Sequence, residues 1–493
     1  MGRRTGLSWI ACLLLAAAIA PAAPRAQEAT TERGESDERR PNIVLAIADD
    51  WGWPHAGAYG DPAIRTPAFD AVAAAGVLFE SAFVSSPSCT PSRGAIVTGQ
   101  HFFRLGAGAN LWCHWPEGRF AEYPALLGEA GYHVGTWRKA WGPGKGSPAG
   151  KRYKNVDAFF EARPDGEPFC LWFGASDPHR GYDAGSGARS GIDVDAVHLF
   201  PHFPDAQEVR SDVADYGFEV QRFDRDVGAL VERLRAMGEL DNTLFVVTGD
   251  HGMPFPRCKG NVYDAGARVP LAVSWPARVP AGRRVTDLVS LTDLAPTFLD
   301  AAGVTVPAEM TGRSLLATLT SDRDGRVETY RDHVLVGRER HVPCQEAPER
   351  EGYPVRALRT DDFLLIENLR PERWPAGTPD HERCASKGSW LGDCDNGPTK
   401  LYLWEHREEP DVRPLYALCF AKRPAVELYD LRRDPGQVTD VAAEAEYRDT
   451  VAKLRRRLAS MLGRAGDPRA LGRGQVLEGH EYLGGGGGKW PYR

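Results

Sequence analysis

Four continuous apolar runs in the chain are each followed by ionisable side chains. The runs cover residues 42–48, 133–137, 169–175 and 244–248, and the residues after them include Asp49, Asp50, Lys139, His179, Asp250 and His251. Unbroken apolar runs of this length predict strands that are buried on both faces of a sheet. Because ligands of such sheets bind beyond the carboxyl ends of the strands, we expect these side chains to meet in one site.

Helical patterns lie between these runs. One pattern begins at Thr66-Pro67, where the proline suits the first helical turn, and ends at Gly76. A longer pattern covers residues 213–237. Strands that alternate with helices predict an α/β domain with a large, mostly parallel sheet flanked by helices.

The pattern changes beyond about residue 350. Residues 355–368 are typical of a hairpin that turns at 360–362, residues 427–431 of a short strand, and residues 444–463 of an amphipathic helix. Residues 373–410 are rich in proline, glycine and tryptophan and predict a long loop. Together these patterns predict a smaller C-terminal α+β domain that carries an antiparallel sheet.

The N-terminus has the pattern of a signal peptide. Arg3 and Arg4 precede an apolar run over 7–20, and Ala20-Pro21-Ala22 offers a cleavage site. We therefore expect a secreted or periplasmic protein with no membrane attachment after cleavage, the alternative being a single membrane anchor. The expected organisation is a signal peptide at 1–26, a disordered lead-in at 27–40, a catalytic domain at 41–350, the α+β domain at 351–470 and a flexible tail at 471–493.

The composition narrows the class of protein. Of 493 residues, 42% are hydrophobic and 26% are charged, and the net charge is -7. These values are ordinary for a globular protein, and the absence of a basic run excludes nucleic acid as an expected partner. Of the nine cysteines, Cys12 leaves with the signal, and Cys384 and Cys394 are the favoured disulfide pair, although sequence leaves the connectivity open.

One short motif carries most of the chemical information. Residues 88–94 read Ser-Cys-Thr-Pro-Ser-Arg-Gly and contain the pattern Cys-x-Pro-x-Arg, with Cys89 and Arg93 at its ends. A helical segment at 92–98 follows, so Cys89 is expected at a helix N-terminus, where backbone N–H groups favour an anion. The alternative is a structural or disulfide-bonded cysteine.

The motifs resemble those of the sulfatase family, part of the alkaline-phosphatase superfamily. The resemblance extends from Pro41 to about Asp440 and rests on PNIVLAIADDWG, on TPAFDAVAAAGVLFESAFVSSPSCTPSRGAIVTG around the cysteine, and on GDHG, GARVPL and ELYDLRRDPGQVTDVA. SDPHR, PHFPD and the PFP after GDHG are similar to the heparan N-sulfatase branch. The resemblance implies an alkaline-phosphatase-like fold and a hydrolase of sulfate esters or sulfamates.

The resemblance also implies a modified nucleophile at Cys89. In the family, a separate maturation enzyme that recognises Cys-x-Pro-x-Arg oxidises this cysteine to formylglycine. One hydroxyl of the aldehyde hydrate attacks sulfur and expels the leaving group, and loss of the proton from the second hydroxyl then releases sulfate.

A divalent cation is expected beside Cys89. The carboxylates of Asp49, Asp50 and Asp250 suit a hard cation, and one Ca²⁺ is the expected ion. Many family members have asparagine where this chain has His251, so a nitrogen ligand joins Cys89 and the carboxylates in the expected set. The alternative for the adjacent aspartates is a solvated loop or a helix cap.

Further residues match the positions that surround the sulfate in the family. Arg93, Lys139 and Lys259 match cationic residues that neutralise charge on the transferring group. His179 matches the histidine that protonates the leaving atom. The alternatives are solvated surface charges and a structural histidine.

One position departs from the family pattern. The family commonly has Gly-Lys-x-His after the Lys139 strand, where the histidine helps to deprotonate the second hydroxyl, but this chain has Trp141. We expect His341 to take that role, and we expect Arg338, Arg340 and His341 to line the substrate mouth, the alternative being polar surface residues.

The sequence thus predicts a formylglycine-dependent sulfatase that acts on a sulfated saccharide, such as a polysaccharide or glycosaminoglycan. One alternative is a phosphodiester or phosphonate monoester hydrolase of the same superfamily. Another is a catalytically inactive homologue that binds saccharides.

Overall fold

Strands and helices alternate through the first part of the chain in the computed structural model, which describes residues 39–387 and 389–485. The predicted signal peptide, nearly all of the lead-in and the end of the tail lie outside these ranges. The strands are β1 Asn42–Ala48, β2 Val77–Phe79, β3 Ala82–Phe83, β4 Cys113–His114, β5 His133–Trp137, β6 Gly144–Lys145, β7 Arg152–Tyr153, β8 Phe169–Gly174, β9 Thr243–Gly249, β10 Arg268–Val269, β11 Leu271–Ser274, β12 Arg283–Val285, β13 Val289–Ser290, β14 His333–Arg338, β15 Val355–Thr360, β16 Phe363–Asn368 and β17 Val426–Asp430.

The helices cover both short connections and long packing elements. They are α1 Pro67–Ala74, α2 Cys89–Thr98, α3 Tyr123–Glu129, α4 Val156–Glu161, α5 Ser186–Arg189, α6 Gln207–Ala236, α7 Asp264–Ala267, α8 Leu294–Ala301, α9 Leu316–Thr320, α10 Pro398–Glu405, α11 Arg413–Phe420 and α12 Arg448–Ala465. Among the described residues, none of these helices combines the length and the apolar character that crossing a bilayer requires.

The large sheet is mostly parallel, as the sequence predicts. Its strand order is β12-β2-β11-β9-β1-β8-β5-β7, and β1 lies parallel between β8 and β9, with β5 parallel to β8. Among the described strands of this sheet, the antiparallel pairs are those that β11 forms with β2 and with β9. The four strands β9, β1, β8 and β5 are therefore adjacent and end at the same edge.

The apolar run of β1 is unbroken because the strand has a hydrophobic cluster on each face. Ile43, Leu45 and Ile47 pack into the cluster that includes residues of α2 and α8. Val44 and Ala46 face the opposite cluster, which includes the apolar face of α6. This two-sided burial explains why the sequence shows continuous rather than alternating hydrophobicity.

A second, separate sheet has four antiparallel strands in the order β14-β15-β16-β17. The predicted hairpin is confirmed, with β15 and β16 joined by a turn at Asp361-Asp362. Helix α12 packs its apolar side, including Leu454, Leu458 and Leu462, against this sheet. Its first strand, β14, precedes residue 350, and the chain from Arg40 onward forms one compact unit, so the domain boundaries stay a prediction.

Two local expectations differ from the structure. The predicted loop at 373–410 contains α10, which begins at Pro398 and is anchored to α6. The predicted Cys384–Cys394 disulfide is wrong, because both thiols are free. Cys384 packs with Val342 and Cys344, whereas Cys394 packs in a separate cluster with Trp390.

Candidate active site

The edge where β9, β1, β8 and β5 end brings together side chains from distant parts of the chain. Asp49 and Asp50 follow β1, Asp250 and His251 follow β9, and Lys139 and His179 come after β5 and β8. Ligand atoms of Asp49, Cys89, Asp250 and His251 lie within 4.8 Å of one another. The expectation that the strand-end residues converge is met.

The backbone at Asp50 is shaped for this convergence. Asp50 has a φ of 74°, in the left-handed region that non-glycine residues rarely adopt. Its N–H donates to Asp250 Oδ1 at 2.8 Å, which links the ends of β1 and β9. Strained backbone of this kind is found where function requires a fixed side-chain position.

The acidic cluster has the donor set of a cation site. Asp50 is fully buried, and its Oδ1 has no hydrogen-bond partner. His251 Nε2 lies 3.3 Å from that Oδ1 and 3.6 Å from Asp250 Oδ1. The Nδ1–H of His251 donates to the Gly252 carbonyl at 3.0 Å, which leaves the Nε2 lone pair directed at the carboxylates. Buried carboxylate oxygens and an oriented imidazole nitrogen suit one divalent cation.

Cys89 occupies the first position of α2, as the motif predicts. Its Sγ lies 3.6 Å from Asp49 Oδ1 and 3.3 Å from His251 Nε2. Burial, together with the carboxylate of Asp49, raises the pKa of the Cys89 thiol far above its ordinary value despite the nearby Lys139. The unmodified thiol would therefore stay protonated, and a protonated thiol is a poor nucleophile.

Helix α2 is buried on every side, which fixes the position of Cys89. Gly94 allows this packing, because a Cβ there would lie 2.8 Å from the Trp115 ring. The helix ends at Gly99, whose φ of 61° is left-handed. Ser92 Oγ donates to the Asp250 carbonyl at 2.6 Å and so ties the first turn to the end of β9.

Three cations neutralise the carboxylates around Cys89. Arg93 is fully buried, and its Nε donates to Asp250 Oδ2 at 2.7 Å. Lys259 Nζ lies 2.8 Å from Asp50 Oδ2, and Lys139 Nζ donates to Asp49 Oδ1.

The pKa of Asp49 reports how strong this compensation is. Burial alone would raise it, but the Lys139 ammonium and the Arg93 guanidinium outweigh burial and the neighbouring Asp50 charge. The pKa of Asp49 is lowered to about 2. The carboxylate is therefore ionised at any pH near neutrality, which a metal ligand requires.

His179 enters the site from its open side. Its Nδ1–H donates to the Arg180 carbonyl at 2.6 Å, and its Nε2 lies 4.0 Å from Asp50 Oδ2. The side chain is 37% exposed, whereas that of Asp50 is fully buried. This position suits a group that meets an incoming substrate.

Trp141, which stands where the sulfatase family commonly has a histidine, is a core residue. It is buried, its Nε1–H donates to the Gly146 carbonyl at 2.7 Å, and its ring lies 5.0 Å from that of Trp115. Beside it lies a cavity of about 580 Å³ that is lined by Lys139, Trp141 and Gly146 among others.

His341 lies beside the motif. Its Nδ1 is 2.8 Å from the Oγ of Ser88, the residue before Cys89. Burial, and then the positive charge of Lys259, lowers the pKa of His341 well below its ordinary value. The imidazole is therefore neutral near pH 7, and burial also makes it a weaker base than an exposed histidine.

Arg338 and Arg340 do not line an open mouth. Both are buried, and Arg338 donates to the carbonyls of Gly260 and Pro375. Arg340 donates to the His480 carbonyl at 2.6 Å. Their guanidinium groups hold loops together, which corrects the expectation that they face a substrate.

Asp395 is a site residue that sequence reasoning missed. Its Oδ2 lies 2.9 Å from Lys259 Nζ, so Lys259 bridges Asp50 and Asp395. Burial would raise the pKa of Asp395, but Lys259 and His179 outweigh it and hold the pKa well below its usual range. The only local signal was the acidic run Asp393-Cys394-Asp395 inside a predicted loop.

The chain is similar over most of its length to known sulfatases. The sulfatase family model matches residues 41–153 and 150–304, and a model for the C-terminal part of N-sulphoglucosamine sulphohydrolase matches residues 249–371. Human N-sulphoglucosamine sulphohydrolase is 30% identical over 496 residues, which covers 89% of this chain and 93% of that protein. An ulvan-active sulfatase of Formosa agariphila is 25% identical, and the alignment covers 88% of this chain and 82% of that protein.

Solved structures show the same fold. A protein determined in complex with its substrate, D-glucosamine-2-N,6-O-disulfate, has a TM-score of 0.58 and 19% identity, with 90% of this chain and 100% of that chain covered. A phosphonate monoester hydrolase of Agrobacterium radiobacter has a TM-score of 0.61 and 16% identity, with 86% and 96% covered. At these identities the structural likeness establishes the fold alone.

Proposed function

The chain belongs to the sulfatase family of sulfuric ester and sulfamate hydrolases, and from that premise we propose that it is a formylglycine-dependent enzyme that removes sulfate from a sulfated saccharide. The observation that carries the proposal is the placement of Cys89. It starts a buried helix inside a Cys-x-Pro-x-Arg motif, against three carboxylates and three cations. A binding protein would not need this arrangement of buried charge, which is costly to desolvate.

The saccharide class is supported by the relatives. One curated relative is a sulphohydrolase of N-sulphoglucosamine and another is a sulfatase active on ulvan. The leading candidate is therefore a sulfated polysaccharide or glycosaminoglycan. The predicted signal peptide supports export to a compartment where such polymers occur, and the net charge of -7 gives no support to a nucleic-acid partner.

The carboxylates of Asp49, Asp50 and Asp250, the Nε2 of His251 and the modified residue 89 would hold the cation. The unpartnered Oδ1 of buried Asp50 fits such a role. Calcium, the proposed ion, would supply Lewis-acid polarisation of a sulfate oxygen and of the nucleophile.

Formylglycine, made from Cys89 by a maturation enzyme, would supply an aldehyde hydrate whose two hydroxyls serve attack on sulfur and release of sulfate. The raised pKa of the unmodified thiol supports a requirement for this conversion. The residues of the chain then have separable tasks.

Arg93, Lys139 and Lys259 would neutralise the transferring sulfate, since all three lie on the carboxylate cluster around Cys89. His179 would donate a proton from Nε2 to the leaving oxygen or nitrogen, because it is the imidazole on the open side. His341 would accept a proton beside residue 89, through its position at Ser88.

A second candidate is a hydrolase of phosphonate monoesters or phosphodiesters, favoured by the fold shared with the Agrobacterium enzyme. The test is turnover by the purified, modified enzyme of 4-nitrophenyl sulfate, of bis(4-nitrophenyl) phosphate, and of a panel of sulfated oligosaccharides. We expect sulfate release from the saccharide panel, none by Cys89→Ala, and a kcat/KM for sulfate esters or sulfamates above that for the phosphodiester. A higher kcat/KM for the phosphodiester would reverse the assignment.

A further inference from the structure

The open side of the site is framed by three side chains. Their exposed fractions are 17% for Lys139, 37% for His179 and 30% for Asp395, whereas Asp49 and Lys259 are 4% exposed. We therefore expect the rest of a substrate whose sulfate reaches Cys89 to lie against these three groups. Two of them have proposed tasks in sulfate transfer, and Asp395 has none.

The loop that carries Asp395 is fixed from one side by a buried lysine. Lys400 is 1% exposed, and its Nζ donates to the carbonyls of Leu391 at 3.0 Å and Cys394 at 2.8 Å and to Asn396 Oδ1 at 2.9 Å. The residues that accept these bonds lie on both sides of Asp395 along the chain. The carboxylate is consequently presented by a rigid loop.

The same loop is fixed to the segment that carries His179. Gly397 lies against the Arg180 guanidinium so closely that a Cβ at residue 397 would be 2.4 Å from Cζ. Arg180 forms two 2.7 Å hydrogen bonds with Asp212, and Thr399 Oγ1 donates to the same carboxylate at 2.7 Å. The loop and the residue next to His179 thus share one buried anchor.

Ligand atoms of Asp395, His179 and Asp50 lie within 4.8 Å of one another. The Lys259 ammonium already lies between Asp50 and Asp395, at 2.8 Å and 2.9 Å, so the chain supplies its own cation to this cluster. Lys259 keeps Asp50 as a partner without Asp395. A second, partly exposed carboxylate beside the leaving-group histidine is therefore available to a ligand.

We propose that Asp395 selects the substrate: its carboxylate accepts a hydrogen bond from a sugar hydroxyl adjacent to the scissile sulfate and excludes a second anionic group from that position. The proposal rests on the proposed function, because it concerns the saccharide beside the sulfate. A carboxylate attracts a hydroxyl donor and repels sulfate or carboxylate, so it favours substrates that carry one sulfate at this point.

The test combines a residue change with a substrate change. The substrates are 4-nitrophenyl sulfate, which has no sugar hydroxyl, the sulfated monosaccharide that the wild type hydrolyses fastest from a panel, and that monosaccharide with its adjacent hydroxyls methylated. The variants are Asp395→Ala, Asp395→Asn and the control Glu382→Gln, whose carboxylate is exposed in the same loop region.

We expect Asp395→Ala to lower kcat/KM for the monosaccharide about 10- to 100-fold more than for the aryl sulfate, the factor that corresponds to a hydrogen bond with a charged group. Methylation should cost the wild type a similar factor and cost Asp395→Ala much less. Asp395→Asn should give an intermediate loss and should raise the relative rate for a substrate with a second sulfate at the adjacent position. Glu382→Gln should match the wild type on every substrate.

An equal loss on the sugar and aryl substrates would overturn the inference, since it would mean that Asp395 only positions Lys259. So would a wild type that tolerates methylation without loss. Failure of the proposed function is distinguishable, because the wild type would then hydrolyse none of the sulfated sugars before any variant is compared.

Discussion

Replacing Asp50 by asparagine separates the cation site from the fold. Asp50→Asn keeps the shape of the side chain and the 2.8 Å bond from its backbone N–H to Asp250, but it removes one of three carboxylates in the cluster. Lys259 keeps Asp395 at 2.9 Å, so the variant does not leave a buried ammonium without a carboxylate. In chelator, we therefore expect the loss of unfolding free energy to stay below the roughly 3–5 kcal/mol that is typical when a buried charge is left without a partner.

Calcium should reveal the difference. A ligand that binds only the folded state at a hundred times its Kd stabilises that state by about 2.7 kcal/mol. For a chain of this size we expect the wild-type Tm to rise by about 3 °C between chelator and saturating calcium. Asp50→Asn has lost the carboxylate whose Oδ1 is buried without a partner, and it should show no rise at the same calcium concentration.

The assay is thermal unfolding followed by fluorescence in chelator, in magnesium and in calcium, with bound metal measured on the same samples. Glu382→Gln, an exposed carboxylate outside the cluster, should keep the full calcium response. A wild type without a calcium response and without bound metal would refute the assignment. An Asp50→Asn variant that keeps the full response would remove Asp50 from the ligand set.

Four further changes test other parts of the site. Cys89→Ala should abolish turnover and leave the far-ultraviolet circular dichroism spectrum unchanged, and retained turnover would exclude residue 89 as the nucleophile. His341→Ala should lower kcat by about 10²–10⁴-fold, whereas a near-normal kcat would point to another proton acceptor. His179→Ala should lower activity most on substrates with poor leaving groups, and equal losses on good and poor ones would contradict its role as an acid. Trp141→His should lower the unfolding free energy by about 2 kcal/mol or more without raising kcat, because Trp141 is packed and hydrogen-bonded in the core. A variant with a higher kcat would show that a histidine at this position can serve as a base in this fold.

The strands that form the site could be predicted because their burial is local information. Each of these four strands, β1, β5, β8 and β9, is a short apolar run followed by polar residues. Each lies within a few residues of its predicted position. β14 shows the limit, since its apolar run predicts a strand but does not indicate that its partner is β15. Pairing depends on contacts across the chain, which a single sequence does not display.

The candidate site divides in the same way. Residues within recognisable motifs, such as Cys89 and Asp250, were found at the site. Asp395 was missed because its position depends on a loop held by Lys400 and Arg180 across long sequence separations. Arg338 was placed at the mouth because it follows a short apolar run, but here its guanidinium donates to buried loop carbonyls.

The state of residue 89 in active enzyme tests the central claim most directly. Peptide mass spectrometry of a fully active preparation, with turnover measured on the same sample, distinguishes a thiol from an aldehyde at this position. We predict that the peptide carrying residue 89 has the mass of formylglycine and that the specific activity of different preparations rises in proportion to the converted fraction. Full activity in a preparation whose Cys89 is entirely unmodified would contradict the account.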